Sequence, residues 1–460
     1  MININKQLLE KYNVPVPRYT SYPPANHFSD SFGEKDFISL MEDANHQNPD
    51  YIAFYIHIPF CHKICFYCGC NAYPLGKEDR VQRYHNAILK EFRLLLPYID
   101  KNRKVSQIHF GGGTPNAIDA QYLVELVEII RKEFQMIENP EIAIECNPAH
   151  LDKTYIDTLL NGGFNRFSLG IQDFNEETLR KVNRDITNMP IEDIIAQVKA
   201  YSPKISVNFD FIYGLPNQTE ENFKATIQQA IDYRPDRLVT FSYAHVPWMK
   251  RHQKIIERMG LPSATEKLNL FLSAYELLLK SGYKAIGFDH YVLPEDELYQ
   301  ALQDKLLHRN FQGYCTRRTT GQVYAIGVSS ISQLYGGYAQ NNKDLIGYVE
   351  TIESGKLATE KGVFIKPEQQ VRKTIITELM CNKVLNWNIL SEQLKSPVDE
   401  IKNLINYDTE KLNDFANDEI LTFTEDEIAI TEMGSLFIRN VAAELDSEFH
   451  NQAFTYSKSV

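Results

Sequence analysis

Four of the seven cysteines lie within ten residues, and Cys61, Cys65 and Cys68 form a C-x3-C-x2-C loop. Thiolates bind soft metals and iron–sulfur clusters, and these short spacings let one loop bind three corners of a cubane cluster. With three protein ligands, one iron keeps an open coordination position, as catalytic metal sites generally do. A zinc knuckle with Cys70 or a nearby histidine as fourth ligand is the alternative, although zinc sites usually pair two separated C-x2-C units.

A glycine-rich segment, Gly111 to Gly113 followed by Thr114 and Pro115, comes directly after an apolar stretch. Glycines let the backbone approach a ligand closely, and the exposed amide and carbonyl groups can hold charged groups. Taken alone, this segment fits an ordinary strand-to-helix turn equally well. Its position one strand after the cysteine loop favours a binding role.

Polar side chains recur at the predicted ends of successive strands, at Glu145, Gln172, Arg184 and Asp210. Each taken singly is typical of a solvated or salt-bridged surface. Arg184 could clamp a carboxylate with two hydrogen bonds, and Glu145 or Asp210 could accept hydrogen bonds from ribose hydroxyls. Their recurrence at one end of the predicted units indicates a shared site.

The elements that must position these residues are strands and helices in alternation from about residue 50 to 290. Helices are predicted at Val81 to Leu96, Gln121 to Phe134, Thr154 to Asn161 and Glu220 to Ala230. Strands are predicted at Ile52 to Ile58, Val105 to Phe110, Glu141 to Glu145, Arg166 to Gly170, Ile205 to Ile212 and Arg237 to Tyr243. This alternation predicts an α/β fold with a parallel sheet and outer helices. Six units are too few for an eight-unit barrel, so we expect an open partial (β/α)6 barrel with its chemistry at the carboxyl ends of the strands.

Three regions are predicted along the chain. Residues 1–45, rich in proline and tyrosine, are expected to form an extended N-terminal arm, residues 46–360 the partial barrel, and residues 361–460 a small, mostly helical accessory domain with a hairpin near Ile420 to Ile430. The net charge of −12 argues against a nucleic-acid surface. The start lacks a signal-peptide pattern, no stretch is long and apolar enough to span a membrane, and the odd cysteine count disfavours disulfides. We therefore expect a cytoplasmic enzyme.

Five phrases of the chain closely resemble the oxygen-independent coproporphyrinogen III oxidases, a family of the radical S-adenosylmethionine (SAM) superfamily. Cys70 is the most specific of these marks, because related haem chaperones usually have an aromatic residue there. The phrases are PRYTSYP at 17–23, YIHIPFC at 55–61, GCN at 69–71, IYGLP at 212–216 and RNFQGY at 309–314.

The resemblance implies that Cys61, Cys65 and Cys68 hold one [4Fe-4S] cluster and that two SAM molecules bind each chain. It also implies catalytic roles for Tyr55 and Cys70. By the same resemblance, the first SAM contacts Tyr55, Gly112, Glu145, Phe311, Gln312 and Ile331. The second contacts Tyr67, Gly113, Thr114, Gln172, Arg184, Asp210 and Ala244.

The implied reaction is the oxidative decarboxylation of two propionates of coproporphyrinogen III to the vinyl groups of protoporphyrinogen IX. A 5′-deoxyadenosyl radical from SAM takes hydrogen from the propionate β-carbon, and a low-potential donor such as flavodoxin or ferredoxin supplies the electron. We expect a monomer with no nucleic-acid partner and no membrane span. Two alternatives stay open: another radical SAM enzyme that acts on porphyrins, and a haem-binding chaperone on the same scaffold.

Overall fold

The computed structural model describes residues 6–287, 289–316 and 321–449. Its central element is a 12-stranded sheet, whose strands we number in chain order. The strands are β1 Ile52–Ile58, β2 Val105–Gly112, β3 Met136–Cys146, β4 Arg166–Gln172, β5 Ser206–Tyr213, β6 Arg237–Ser242, β7 Lys284–Ala285, β8 His290–Val292, β9 Gln322–Ile326, β10 Ile331–Leu334, β11 Gly337–Asn341 and β12 Thr359–Phe364. Their order across the sheet is β12-β11-β10-β9-β1-β2-β3-β4-β5-β6-β8-β7.

Strands β1 to β6 are neighbours in sequence order, and each pairs in parallel with the next. They correspond to the six predicted strands, so the predicted partial barrel is confirmed. Because the strands are parallel, all their carboxyl ends meet at one edge of the sheet. The cysteine loop follows β1 at this edge, and the glycine segment ends β2.

The sheet continues beyond these six strands on both sides. β9 pairs in parallel with β1, whereas β10, β11, β12 and β8 pair in antiparallel fashion. Strands β7 to β12, which are only two to six residues long, were not predicted from the sequence. All five residues of β9 are buried, and it starts with Gln322, whose amide donates to the carbonyls of Ala44 and Gln47 at 3.0 and 2.9 Å. A polar residue satisfied inside the core hides the strand from a hydrophobicity pattern.

The helices that connect the strands are amphipathic and pack on the sheet. In Glu78–Leu95, for example, Val81, Tyr84, Ile88 and Phe92 recur at three- and four-residue spacing and are buried. The predicted helices agree with the observed ones within a few residues. The helices of 6 or more residues between β1 and β12 are Glu78–Leu95, Ala120–Glu133, Lys153–Asn161, Glu176–Lys181, Ile191–Tyr201, Glu220–Tyr233, Ala264–Lys280, Glu297–Gln303 and Leu345–Glu353.

The N-terminal segment is not extended throughout, contrary to the sequence expectation. Lys6–Tyr12 and Glu34–Ala44 are helices, and the second buries Phe37, Leu40 and Met41. This helix was missed because the proline-rich segment before it favoured the prediction of an extended arm. The described C-terminal region has the helices Pro367–Asn382, Trp387–Leu394, Val398–Asn403, Thr409–Asn417 and Ile438–Leu445 and a sheet of Val384–Asn386, Leu421–Phe423 and Glu427–Ile430. The expected hairpin is present within this sheet, and the predicted domain boundaries stay predictions.

Hydrogen bonds fasten the N-terminal arm to the C-terminal region. Tyr19 and Tyr22 donate to the two carboxylate oxygens of Asp446 at 3.0 and 2.8 Å. The guanidinium of Arg439 donates to the carbonyl of Pro17 at 3.0 Å. The ends of the chain therefore fix the path of the segment that carries Arg18. No helix in the described part of the chain is long and apolar enough to cross a membrane.

Candidate active site at the carboxyl edge of the sheet

The cysteine loop is closed at its base by a short pair of strands. Phe60–Cys61 pairs in parallel with Tyr73–Pro74, so that residues 62–72 project from the end of β1. Cys61 and Cys65 are buried, Cys68 is half-buried and Cys70 is exposed, and all four are free thiols. The exposure of the four cysteines therefore rises along the loop from Cys61 to Cys70.

The thiols differ in acidity. Burial raises the pKa of Cys61 to about 11, although a contact of 3.2 Å with the Thr114 hydroxyl opposes this shift. The hydrogen bond with Cys70 lowers the pKa of Cys68 to about 6. Among residues 6–287, 289–316 and 321–449, no three histidine, cysteine or carboxylate side chains are close enough to hold a single metal ion. Three soft donors spread over one loop fit a cluster in which each thiol binds a different iron.

Side chains from the segment after β6 hold the backbone of the cysteine loop. Lys250, His252 and Gln253 donate to the carbonyl oxygens of residues 70, 68 and 67 at 2.7, 2.8 and 2.9 Å. Gln253 also donates to the carbonyl of Ala244 at 3.2 Å, so one amide links the predicted positions 67 and 244. The carbonyls that would otherwise repel a nearby anion are thereby turned to these donors.

Arg184 approaches the loop from the other side. Its Nη1 lies 3.8 Å from the sulfur of Cys65, and its Nη2 donates to the carbonyl of Gly170. The neighbouring Asn183 donates to the carbonyl of Ile64 at 3.0 Å. Gln172 ends β4 beside Gly170 with a φ of 71°. Arg184 and Gln172 therefore lie together with Cys65, as the sequence analysis expected of a shared site.

Only glycine fits at residues 111–113, because neighbouring atoms occupy the space that a side chain would need. A Cβ at Gly111 would lie 2.8 Å from Oε1 of Glu145, and one at Gly113 would lie 2.6 Å from the carbonyl oxygen of Pro59. Gly112 has a φ of 119°, and its Cβ would lie 2.8 Å from the His57 ring. These close approaches bring the end of β2 against β1 and β3.

Two histidines orient the predicted residues of β1 and β3. His57 Nε2 donates to the carbonyl of Asn71 at 3.2 Å, which leaves Nδ1 to accept from the Tyr55 hydroxyl at 3.2 Å. His109 Nε2 lies 3.0 Å from Oε1 of Glu145, and although burial opposes it, His109 lowers the pKa of Glu145. Glu145 therefore stays ionised, while burial keeps the Tyr55 phenol neutral by raising its pKa.

The remaining predicted residues lie farther along the same edge. Asp210 accepts from Ser168 and Asn208 at 2.6 and 2.8 Å, and burial raises its pKa. Phe311 and Gln312 form the tip of the hairpin Leu307–Asn310 and Gly313–Thr316, and Ile331 starts β10. Within the described ranges, no direct hydrogen bond joins Phe311, Gln312 or Ile331 to the cysteine loop. The structure thus brings the loop, the glycine segment and Arg184 together and leaves these three on separate elements.

A group of basic residues that the sequence analysis did not single out lies beside the ends of β5 and β6. We call Arg18, Lys267, Arg309 and Arg439 the basic group. Lys267 lies against Gly214 and donates to the carbonyl of Tyr243 at 2.8 Å. The guanidinium carbon of Arg309 lies 5.1 Å from the centre of the Tyr314 ring, and its Nε is buried without a hydrogen-bond partner in the described part of the chain.

The charges of the basic group act on one another and on Asp289, which contacts Nδ1 of His290 at 2.6 Å. Burial acts to raise the pKa of Asp289, but His290, Arg309 and Arg18 together outweigh it and lower this pKa to about 2. Burial, and then Arg18, lowers the pKa of Lys267 to about 8. Burial, with Arg18 and Arg309, lowers the pKa of Arg439 to about 10. The site therefore carries excess positive charge in a chain whose net charge is −12.

The sequence model of the Radical SAM superfamily matches residues 55–230, which carry the cysteine loop, the glycine segment, Arg184 and β1 to β5. Fold and site thus define a radical SAM protein. The cofactor prediction is confirmed at the level of this class, which uses SAM and a [4Fe-4S] cluster.

Full-length relatives narrow the assignment. The oxygen-independent coproporphyrinogen III oxidase of Helicobacter pylori strain J99 is 36% identical over 100% of both chains, and that of Synechocystis is 37% identical over 98% of this chain and 97% of its own. The structure of coproporphyrinogen III oxidase from Escherichia coli, a radical SAM enzyme, superposes with a TM-score of 0.87 at 34% identity, covering 97% of this chain and 99% of that one. The chain belongs to the family of oxygen-independent coproporphyrinogen III oxidases, and the resemblance seen in the motifs is confirmed.

The glycine segment gives a direct test of the site. Gly112→Ala should weaken SAM binding about 5-fold or more, because a strained φ and a clash with His57 displace the backbone, at a cost of roughly 1–3 kcal/mol. Iron content should be unchanged, because the nearest atoms to a Cβ at position 112 belong to the His57 ring and not to a thiol. Equilibrium binding of radiolabelled SAM to the anaerobically reconstituted protein measures the effect. Gly33→Ala is the matched control, because a Cβ there meets nothing within 4 Å. Equal SAM binding by both variants would show that the segment is only a turn.

Proposed function

We propose that the chain decarboxylates two propionate side chains of coproporphyrinogen III to the vinyl groups of protoporphyrinogen IX. The single observation that carries the substrate class is the basic group beside the carboxyl ends of β5 and β6. Four cationic side chains converge there in an acidic protein, and a substrate with four propionates requires such a surface. Membership of the coproporphyrinogen III oxidase family supports the same substrate.

The donor set at the end of β1 fits the cofactor of this class. Cys61, Cys65 and Cys68 would hold the [4Fe-4S] cluster, and Cys70 would stay free. When bound, cluster and SAM together supply an electron and a carbon-centred radical that can abstract hydrogen. We infer two SAM molecules per chain, the first at Tyr55, Gly112, Glu145, Phe311, Gln312 and Ile331. The second would bind at Tyr67, Gly113, Thr114, Gln172, Arg184, Asp210 and Ala244.

The chain's own residues orient these groups and control protons and water. Arg184 presents a permanent cation beside Cys65, suited to a carboxylate of SAM, and ionised Glu145 can accept from an amino group or a sugar hydroxyl. Tyr55 is held by His57 with its phenol proton in place. Cys70 is an exposed residue whose thiol is hydrogen-bonded to that of Cys68, close enough to the cluster ligands to order SAM or substrate.

Each turnover at a propionate removes one hydrogen atom from the β-carbon, then carbon dioxide and one electron, and leaves a vinyl group. The basic group would hold the substrate through carboxylates and place one propionate toward the SAM site. Its cations lie on the N-terminal arm, a helix, a hairpin and the C-terminal region, which gives each region a role in substrate binding. We infer further that the chain acts as a monomer in the cytoplasm with a low-potential electron donor such as flavodoxin or ferredoxin.

The product identifies the function. Anaerobically reconstituted protein with SAM, dithionite and coproporphyrinogen III should yield protoporphyrinogen IX and two carbon dioxide molecules per tetrapyrrole, measured by chromatography and trapped gas. A ring-modified product that retains all four carboxylates would point to another porphyrin-acting radical SAM enzyme. Tight haem binding without carbon dioxide release would point to a haem-delivery protein.

The role of the basic group is tested at Arg18, which is exposed and lies on the arm. Arg18→Ala should raise the KM for coproporphyrinogen III about 10-fold or more, since a charge-assisted contact contributes about 1.5–3 kcal/mol. SAM cleavage without substrate should be unchanged. Arg93→Ala, another exposed arginine on the outer helix Glu78–Leu95, serves as control. An unchanged KM in Arg18→Ala would remove Arg18 from the substrate site.

A further inference from the structure

An exposed apolar turn follows β6 directly beside the cysteine loop. Trp248 and Met249 are 73% and 71% exposed, and the amides of residues 249 and 250 both donate to the carbonyl of Val246 at 2.9 Å. Ile255 and Met259, at 38% and 45%, continue this surface along the chain. Large apolar side chains held out into solvent by a hydrogen-bonded turn are typical of an interaction surface.

This turn is hydrogen-bonded to the cysteine loop through the residues that follow it. Lys250 and His252, which follow the exposed pair, donate to the carbonyls of Cys70 and Cys68 at 2.7 and 2.8 Å. A partner that contacts Trp248 is therefore separated from the cysteine loop by a few covalent and hydrogen bonds. Trp248 and Met249 belong neither to the predicted SAM contacts nor to the basic group.

The surroundings of the turn are basic, in contrast to the whole chain. Residues 248–259 include four basic side chains and one acidic side chain, whereas the chain carries a net charge of −12. Arg251, Lys254 and Arg258 are exposed. Exposed apolar side chains followed closely in the chain by exposed cations suit a partner with an acidic face, because opposite charges steer encounter and short apolar contacts then hold the complex.

We propose that Trp248 and Met249, with Arg251, Lys254 and Arg258, form the docking surface for a small acidic electron-transfer protein. The proposal rests on the proposed function, which requires one electron for each SAM cleaved. A transient complex of this kind needs only a small interface, so a few exposed side chains suffice. Docking here would deliver the electron at the cysteine loop and leave the basic group open to substrate.

The test compares a protein donor with a small chemical reductant. With flavodoxin reduced by its reductase as donor, Trp248→Ser and the double variant R251E/K254E should each raise the KM for flavodoxin at least about 10-fold, measured as 5′-deoxyadenosine formed. The rate with dithionite should be unchanged. The wild-type rate with flavodoxin should fall with added salt, and R251E/K254E should lose most of that dependence. Ile389→Ser and Lys204→Glu are matched controls on other exposed surfaces.

Three results would overturn the proposal. Equal kinetics with flavodoxin in all variants would show that the surface does not bind the donor. A parallel loss with flavodoxin and dithionite would assign Trp248 to the site itself. A change of sedimentation from dimer to monomer in Trp248→Ser would make the surface a contact between copies of this chain. Failure of the proposed function is distinguishable, because wild-type protein with dithionite would then form no protoporphyrinogen.

Discussion

Neighbouring atoms leave no room for a side chain at Gly111, Gly112 and Gly113, at the end of β2. The geometry of the site depends on this constraint. Glu145, His57 and the Pro59 carbonyl each lie within 2.8 Å of where a Cβ of Gly111, Gly112 or Gly113 would stand. Because of these close approaches, the glycine segment at the end of β2 packs directly against the end of β1, which leads into the cysteine loop. His57 then reaches Asn71 inside the loop, and Tyr55 is oriented by the same ring.

Charged and polar side chains form three sets at the carboxyl edge of the sheet. The loop carbonyls are satisfied by Lys250, His252 and Gln253, so that their negative ends are compensated close to the thiols. The basic group lies beside the ends of β5 and β6 and suits carboxylates, while Arg184 lies beside Cys65. An overall acidic chain can therefore bind an anionic substrate, because fields near a site are set by local groups rather than by net charge.

The sequence predicted the parts that have strong local signals. Strands β1 to β6 are apolar and alternate with amphipathic helices. The spacing of Cys61, Cys65 and Cys68 predicts that they bind a cluster. Strands β7 to β12 could not be predicted, because most are shorter than the window in which periodicity is visible and because polar residues such as Gln322 are satisfied inside the core. The helix Glu34–Ala44 was missed beside a proline-rich segment.

The supporting residues of the site were also invisible in the sequence. His252 and Gln253 donate to carbonyls 184 and 186 positions away in the chain. The charge of Arg18 acts on Lys267 and Arg439 because the arm is fastened to the C-terminal region. Contacts of that separation have no local pattern. His57 is the exception, since it lies between Tyr55 and the cysteine loop, and its period-two position on β1 could have marked it as a partner of Tyr55.

The central claim is that three thiols bind the cluster and the fourth cysteine does not, which leaves one iron open to SAM. Iron content and visible absorption of anaerobically reconstituted Cys65→Ala and Cys70→Ala, measured side by side, test it most directly. The account predicts that Cys65→Ala loses its iron and colour, while Cys70→Ala keeps both and loses propionate decarboxylation. Loss of iron from Cys70→Ala as complete as from Cys65→Ala would make Cys70 a fourth ligand and contradict the account.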